Sequence, residues 1–120
     1  MTPSEIVKAD AQRGQYDADT VLRKMDRAVS DHHALVFHEN NSILLLIPLP
    51  GNGTELHLYT ADSPLTLAQS LKKFISKIRA SDIHIVYGSG DIPQTLQLLK
   101  KLGVDVEQSD KPNYRWMARV

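Results

Sequence analysis

Six consecutive residues, Ser42-Ile-Leu-Leu-Leu-Ile47, carry the strongest hydrophobic pattern in the chain. Apolar side chains at successive positions predict a strand covered on both faces. Ahead of this run, Ala34-Leu-Val-Phe37 predicts a partner strand, and Glu39-Asn-Asn41 between them reads as a hairpin turn. Behind it, Pro48, Pro50, Gly51 and Gly53 break the chain into a loop. The next segment, Thr54-Glu-Leu-His-Leu-Tyr59, alternates, placing Glu55, His57 and Tyr59 on one strand face and Leu56 and Leu58 on the other. Three strands in a row predict an antiparallel meander.

Helical spacing appears on either side of the meander. Ser4, Glu5 and Val7 predict a short first helix stopped near Gly14, with residues 1–16 peripheral to the domain. Asp17 or Asp19 caps a second helix that runs to about Val29, with Val21, Leu22, Met25, Ala28 and Val29 on its buried face. A third is predicted over 64–79, with Leu67, Leu71, Phe74, Ile75 and Ile78 inward. Asp62 or Ser63 would cap it, Pro64 suits its first position, and Lys72, Lys73 and Lys77 face out. A strand over 83–87, a helix over 92–102 capped by Asp91 and closed by Gly103, and strands over 104–106 and 113–120 complete the order.

Composition narrows the function classes. The chain has 120 residues, 42% hydrophobic and 23% charged, which suits a single domain with one sizeable core. Fourteen basic residues balance fourteen acidic ones, so no global field draws it to nucleic acid. The absence of cysteine excludes disulfides, thiolate catalysis and cysteine-based zinc sites. The longest apolar run, residues 43–50, holds two prolines and is far short of the ~20 residues a membrane helix needs. The N-terminus lacks a basic start followed by an apolar stretch, so no signal peptide is expected.

The candidate chemistry is sparse. Glu55 beside His57 could relay a proton from an amine, the alternative being a polar, half-exposed strand face. Of the five histidines, His32 and His38 would share a strand face but lie roughly 20 Å apart, His33 points the other way, and no metal site is expected. Gly88-Ser-Gly90 lacks the spacing of a nucleophile turn and the lysine of a phosphate loop. Alternation over the last strand puts Tyr114, Trp116 and Ala118 on one face, as a packed aromatic side or a base-stacking platform.

The order from residue 17 onward resembles the Gcn5-related N-acetyltransferases. These place two helices before a meander, then a phosphate-binding loop with a long helix, a strand, a helix and a closing hairpin. The closest local likeness is Thr95-Leu-Gln-Leu-Leu-Lys-Lys-Leu-Gly103-Val. The family's first strand has no counterpart before Asp17. Its Arg/Gln-x-x-Gly-x-Gly/Ala loop falls on Ser63, Thr66 and Ala68, of which only Ala68 conforms, and Asp62 adds a negative charge beside it. The family's tyrosine acid falls on Leu99, while its strand base falls on Glu55.

The resemblance implies an α+β fold with a mixed, mainly antiparallel sheet and helices on both faces. With the loop degenerate and the acid missing, the leading expectation is a non-catalytic module without a cofactor. It resembles small bacteriophage acetyltransferase-like proteins and would work in the host cytoplasm or virion through protein partners or self-association. The alternative is an N-acetyltransferase that uses acetyl-CoA, with Glu55 or His57 as base and the Ser63, Thr66 and Ala68 loop receiving the phosphates.

Overall fold

A computed structural model describes residues 1–90 and 93–120. The predicted Asp91 cap and the helix start at Ile92 fall outside the described residues. The element order is α1 (Pro3–Gly14), α2 (Ala18–His32), β1 (Leu35–Glu39), β2 (Ser42–Pro48), β3 (Thr54–Thr60), α3 (Pro64–Ala80), β4 (Ile85–Gly88), α4 (Pro93–Lys101), β5 (Asp105–Gln108) and β6 (Trp116–Arg119). The fold is α+β, built on one six-stranded sheet in the order β1-β2-β3-β4-β6-β5. Every neighbouring pair is antiparallel except β3 and β4.

The uninterrupted apolar run of β2 has its predicted cause. Leu44 and Leu46 join α3 residues Leu71, Phe74, Ile75 and Ile78 in one core, while Ile43 and Leu45 join Ile6, Val7, Met25 and Ala28 in the other. Strand β2 is therefore covered by α3 on one face and by α1 with α2 on the other. Phe74, at 1% exposure, is the largest fully buried side chain.

The helix ends follow local chemistry. Thr2 and Glu5 form a reciprocal capping box at α1, and Asp17 caps α2. Ile6 and Val7 of α1 have no exposed surface and pack with Met25, Ala28, Ile43 and Leu45. Asp10 ties α1 to the end of β3, accepting from the Thr60 backbone N–H at 3.1 Å, while Arg13 donates to the Thr60 carbonyl at 2.8 Å.

Several expectations need correction. Val29 is 46% exposed, so the buried stripe of α2 stops at Ala28. His32 closes α2 and His33 is its left-handed C-cap at φ 55°, so neither shares a strand with His38. Lys72, Lys73 and Lys77 are exposed as expected, and Lys73 and Lys77 reach Glu39 of β1 at 3.7 and 2.6 Å. The last strand begins only at Trp116, and Tyr114 lies in the preceding turn.

Candidate active site

The two parallel strands meet over a very short stretch. Thr54 pairs with Val86 and Glu55 with Tyr87; beyond that, among the described residues, no strand lies on this edge of β3. The chain leaves β4 through Gly88, Ser89 and Gly90, while β3 continues to Thr60. The divergence opens a cleft of about 210 Å³ between the sheet, α3 and α4. Leu56, Leu58, Phe74 and Leu99 give it apolar walls, and Ser89, Thr95 and Trp116 reach it as well. Trp116 is held by its indole N–H, which donates to the Gly90 carbonyl at 3.2 Å.

Gly88 is required for this wall. A Cβ there would lie 2.1 Å from Cζ2 and 2.3 Å from Cε2 of Trp116. The glycine therefore lets the indole lie flat against the β4 backbone.

On the opposite face of β3 lies a second cavity of about 290 Å³, lined by Val21, Lys24 and Met25 of α2, Leu45 and Ile47 of β2, and Glu55, His57 and Tyr59 of β3. The alternation anticipated for β3 holds: the two polar side chains and Tyr59 share this face. His57 Nε2 lies 3.0 Å from Glu55 Oε2, and the His57 and Tyr59 rings stack with centroids 6.4 Å apart. His57 and Tyr59 line both cavities, so β3 is the partition between them.

Glu55 has a second partner, which alternation along 113–120 conceals. Tyr114 Oη donates to Glu55 Oε1 at 2.7 Å, and the Tyr114 ring packs on Tyr87 with centroids 5.5 Å apart. Trp116 meanwhile packs on the α3 side, so the two aromatics serve opposite faces of the sheet. Burial pushes the Glu55 carboxyl up, but the hydrogen bonds from His57 and Tyr114 outweigh it and hold it below the usual glutamate range. Burial, then the bond to Glu55, raises the Tyr114 phenol to about 12. Tyr59 rises to about 12 through burial and the nearby charges of Asp10 and Glu55.

The loop positions inferred by resemblance lie elsewhere. Ser63 is the N-cap residue of α3 without a side-chain bond to its amides; its hydroxyl instead donates to Thr66 Oγ1 at 3.2 Å. Ala68 is half-buried one turn further on. None of the three lines the cleft, which meets α3 from Leu71 onward. Asp62 does not cap α3. Its carboxylate accepts from the Asn41 N–H at 3.1 and 3.2 Å and from the Ser42 hydroxyl at 2.6 Å. The first amides of α3 are thus left without a side-chain acceptor, a setting that suits an anion.

Among the described residues, no group of three or more histidine or acidic side chains could hold a metal ion, and no helix is long and apolar enough to cross a membrane.

This assembly of helices around a sheet that splits between two parallel strands is the Gcn5-related N-acetyltransferase-like fold. The N-acetyltransferase PseH of Campylobacter jejuni, solved in complex with acetyl coenzyme A, superposes with a TM-score of 0.59 at 15% identity, covering 100% of this chain and 92% of that one. An aminoglycoside 6'-acetyltransferase type Ii superposes with a TM-score of 0.59 at 17% identity, covering 96% of this chain and 84% of that one. No protein-family model matches the sequence, and neither does any curated protein.

Proposed function

We propose that this chain is an N-acetyltransferase that takes acetyl-CoA as donor and an amine as acceptor. The observation that carries the reading is the shared wall: His57 and Tyr59 border both the cleft at the strand split and the cavity beneath α2. A thioester entering from one side and an amine from the other would meet at β3. Both solved neighbours are acetyltransferases and one holds acetyl coenzyme A, which supports this donor over a purely structural role.

The chain's residues divide the work. With Nε2–H directed at Glu55, His57 presents Nδ1 as the proton acceptor, and the Glu55 carboxylate stabilises the imidazolium that forms. His57 takes one proton from the ammonium, and the freed nitrogen attacks the thioester carbonyl carbon. As the C–N bond forms, a backbone N–H on the open edge of β3 steadies the negative oxygen. The C–S bond then breaks, and the second amine proton passes to the departing thiolate. The Ser89 and Thr95 hydroxyls line the cleft where that sulfur leaves, in place of the tyrosine that Leu99 cannot supply. The products are an acetamide and free coenzyme A, with one net proton released from His57. The uncapped amides of α3 offer the phosphates a helix N-terminus without the family's glycines.

The test is a melting curve with acetyl-CoA. Binding to the native state stabilises it by about 2.7 kcal/mol at a hundredfold excess over the dissociation constant. A rise in melting temperature together with amine-dependent thiol release is expected. An unchanged melting temperature at millimolar acetyl-CoA would sink the proposal.

A further inference from the structure

The cavity beneath α2 carries opposite charges on different elements. Glu55, flanked by His57, supplies a carboxylate from β3. Lys24 supplies an ammonium from α2, and the remaining walls are Val21, Met25, Leu45 and Ile47 with the Tyr59 ring. Lys24 is exposed, and no carboxylate pairs with it among the described residues. Its helical neighbours explain this: Thr20, Val21, Arg27 and Ala28, at the three- and four-residue spacings, bear no negative charge. Elsewhere, the helix's Asp17 spends its carboxylate on the Thr20 hydroxyl and the Asp19 N–H. A cation is therefore left over a mainly apolar cavity whose one anionic lining residue, Glu55, sits on the facing strand beside His57 and Tyr59.

We infer that the acceptor is an amine that carries an anionic group of its own, its nitrogen at Glu55 and His57 and its anion at Lys24. The apolar walls between them fit a hydrocarbon spacer. An amine carrying a carboxylate matches this distribution, whereas a diamine would set its second cation against Lys24. This deepens the acceptor half of the proposed function and rests on that reading.

Binding to the full-length protein tests it independently of turnover. The probes are a graded series of linear ω-amino carboxylates and the corresponding neutral ω-amino amides, titrated while the His57 ring resonances are followed. The best carboxylate is expected to bind about fivefold more tightly than its amide, as for a partly exposed ion pair, and the advantage should shrink with added salt. Lys24→Gln should abolish the advantage, Lys24→Arg should keep it, and Arg23→Gln, a cation on the same helix outside the cavity, should leave it in place. Equal binding of carboxylate and amide, an advantage that survives Lys24→Gln, or no binding by any member overturns the inference. If acetyl-CoA fails to bind while the Lys24-dependent preference holds, the donor reading falls and the anionic-amine cavity stands. If acetyl-CoA binds and the preference is absent, this inference falls alone.

Discussion

Tyr114 reaches back 59 positions to donate a 2.7 Å hydrogen bond to Glu55, bringing the turn before the last strand to the middle of the sheet. The bond completes the Glu55 carboxylate, whose other oxygen faces His57. Tyr114→Phe should cost about 1 kcal/mol at neutral pH, read by denaturant unfolding. Glu55 is held below its ordinary value in the folded protein, so its contribution is present above that value and fades as pH falls through the folded one. The gap between wild type and Tyr114→Phe should therefore narrow in acid.

The alkaline side has the opposite sign. Tyr114 and Tyr59 both titrate near 12 in the fold, against 10.0 for an ordinary phenol. The unfolded chain releases these protons first, so their contribution is intact below pH 10 and is lost between about 10 and 12. Unfolding free energy measured across that range should fall less steeply in the Tyr59→Phe, Tyr114→Phe double variant.

Turnover depends on the Glu55–His57 pair if the proposed chemistry holds. His57→Gln should lower kcat/KM for thiol release by roughly 10²–10⁴-fold while leaving acetyl-CoA binding nearly unchanged. Glu55→Gln keeps an acceptor for His57 but removes the charge that stabilises imidazolium. It should lower kcat more than it raises KM and shift the acidic limb of the pH–rate profile, where the base gains its proton. Equal losses of donor binding and turnover in both variants would argue for a structural role instead.

Two neighbouring glycines give a contrasting pair. Gly88→Ala places a methyl 2.1 Å from the Trp116 ring and should cost about 1–3 kcal/mol through overpacking, with a red-shifted indole emission as the ring is displaced. Gly90→Ala meets no atom within 4 Å and should stay within about 0.5 kcal/mol of wild type. The chain has a single tryptophan, so emission reports this position alone.

Asp62→Ala should destabilise the protein by about 1–3 kcal/mol, because Ser42, fully buried, loses a hydroxyl partner and the Asn41 amide loses its carboxylate. Thermal unfolding decides the matter. A variant as stable as wild type would mean that the turn finds substitute partners.

What the sequence discloses here follows from how local each signal is. The β2 run from Ile43 to Ile47 announces burial on both faces because every residue carries the signal itself. The Glu55–His57 pair is legible for the same reason, being two residues apart on one strand. Tyr114 is not legible. Its pairing depends on where β6 begins, and extending alternation through Asn113 and Tyr114 assigns it to the wrong face. His32 lies off the strand because α2 runs on to a left-handed cap at His33 rather than ending near Val29. By position alone, Asp62 reads as a cap for α3 or as a negative charge beside it. Its partners, Asn41 and Ser42, are about 20 residues earlier, and no spacing rule along one element could supply them.

The two-residue contact between β3 and β4 has a kinetic consequence. The meander at 35–60 and the strands at 85–119 each close by antiparallel pairing within their own segment, but the union of the two waits on a crossover through α3. Closing that longer loop is the slower event, so the halves are expected to order before they join. In the finished protein the same seam is the least reinforced line through the sheet. Amide hydrogens of Glu55 and Tyr87 should exchange with solvent sooner than those of Leu44 and Leu46, marking where the native state first opens.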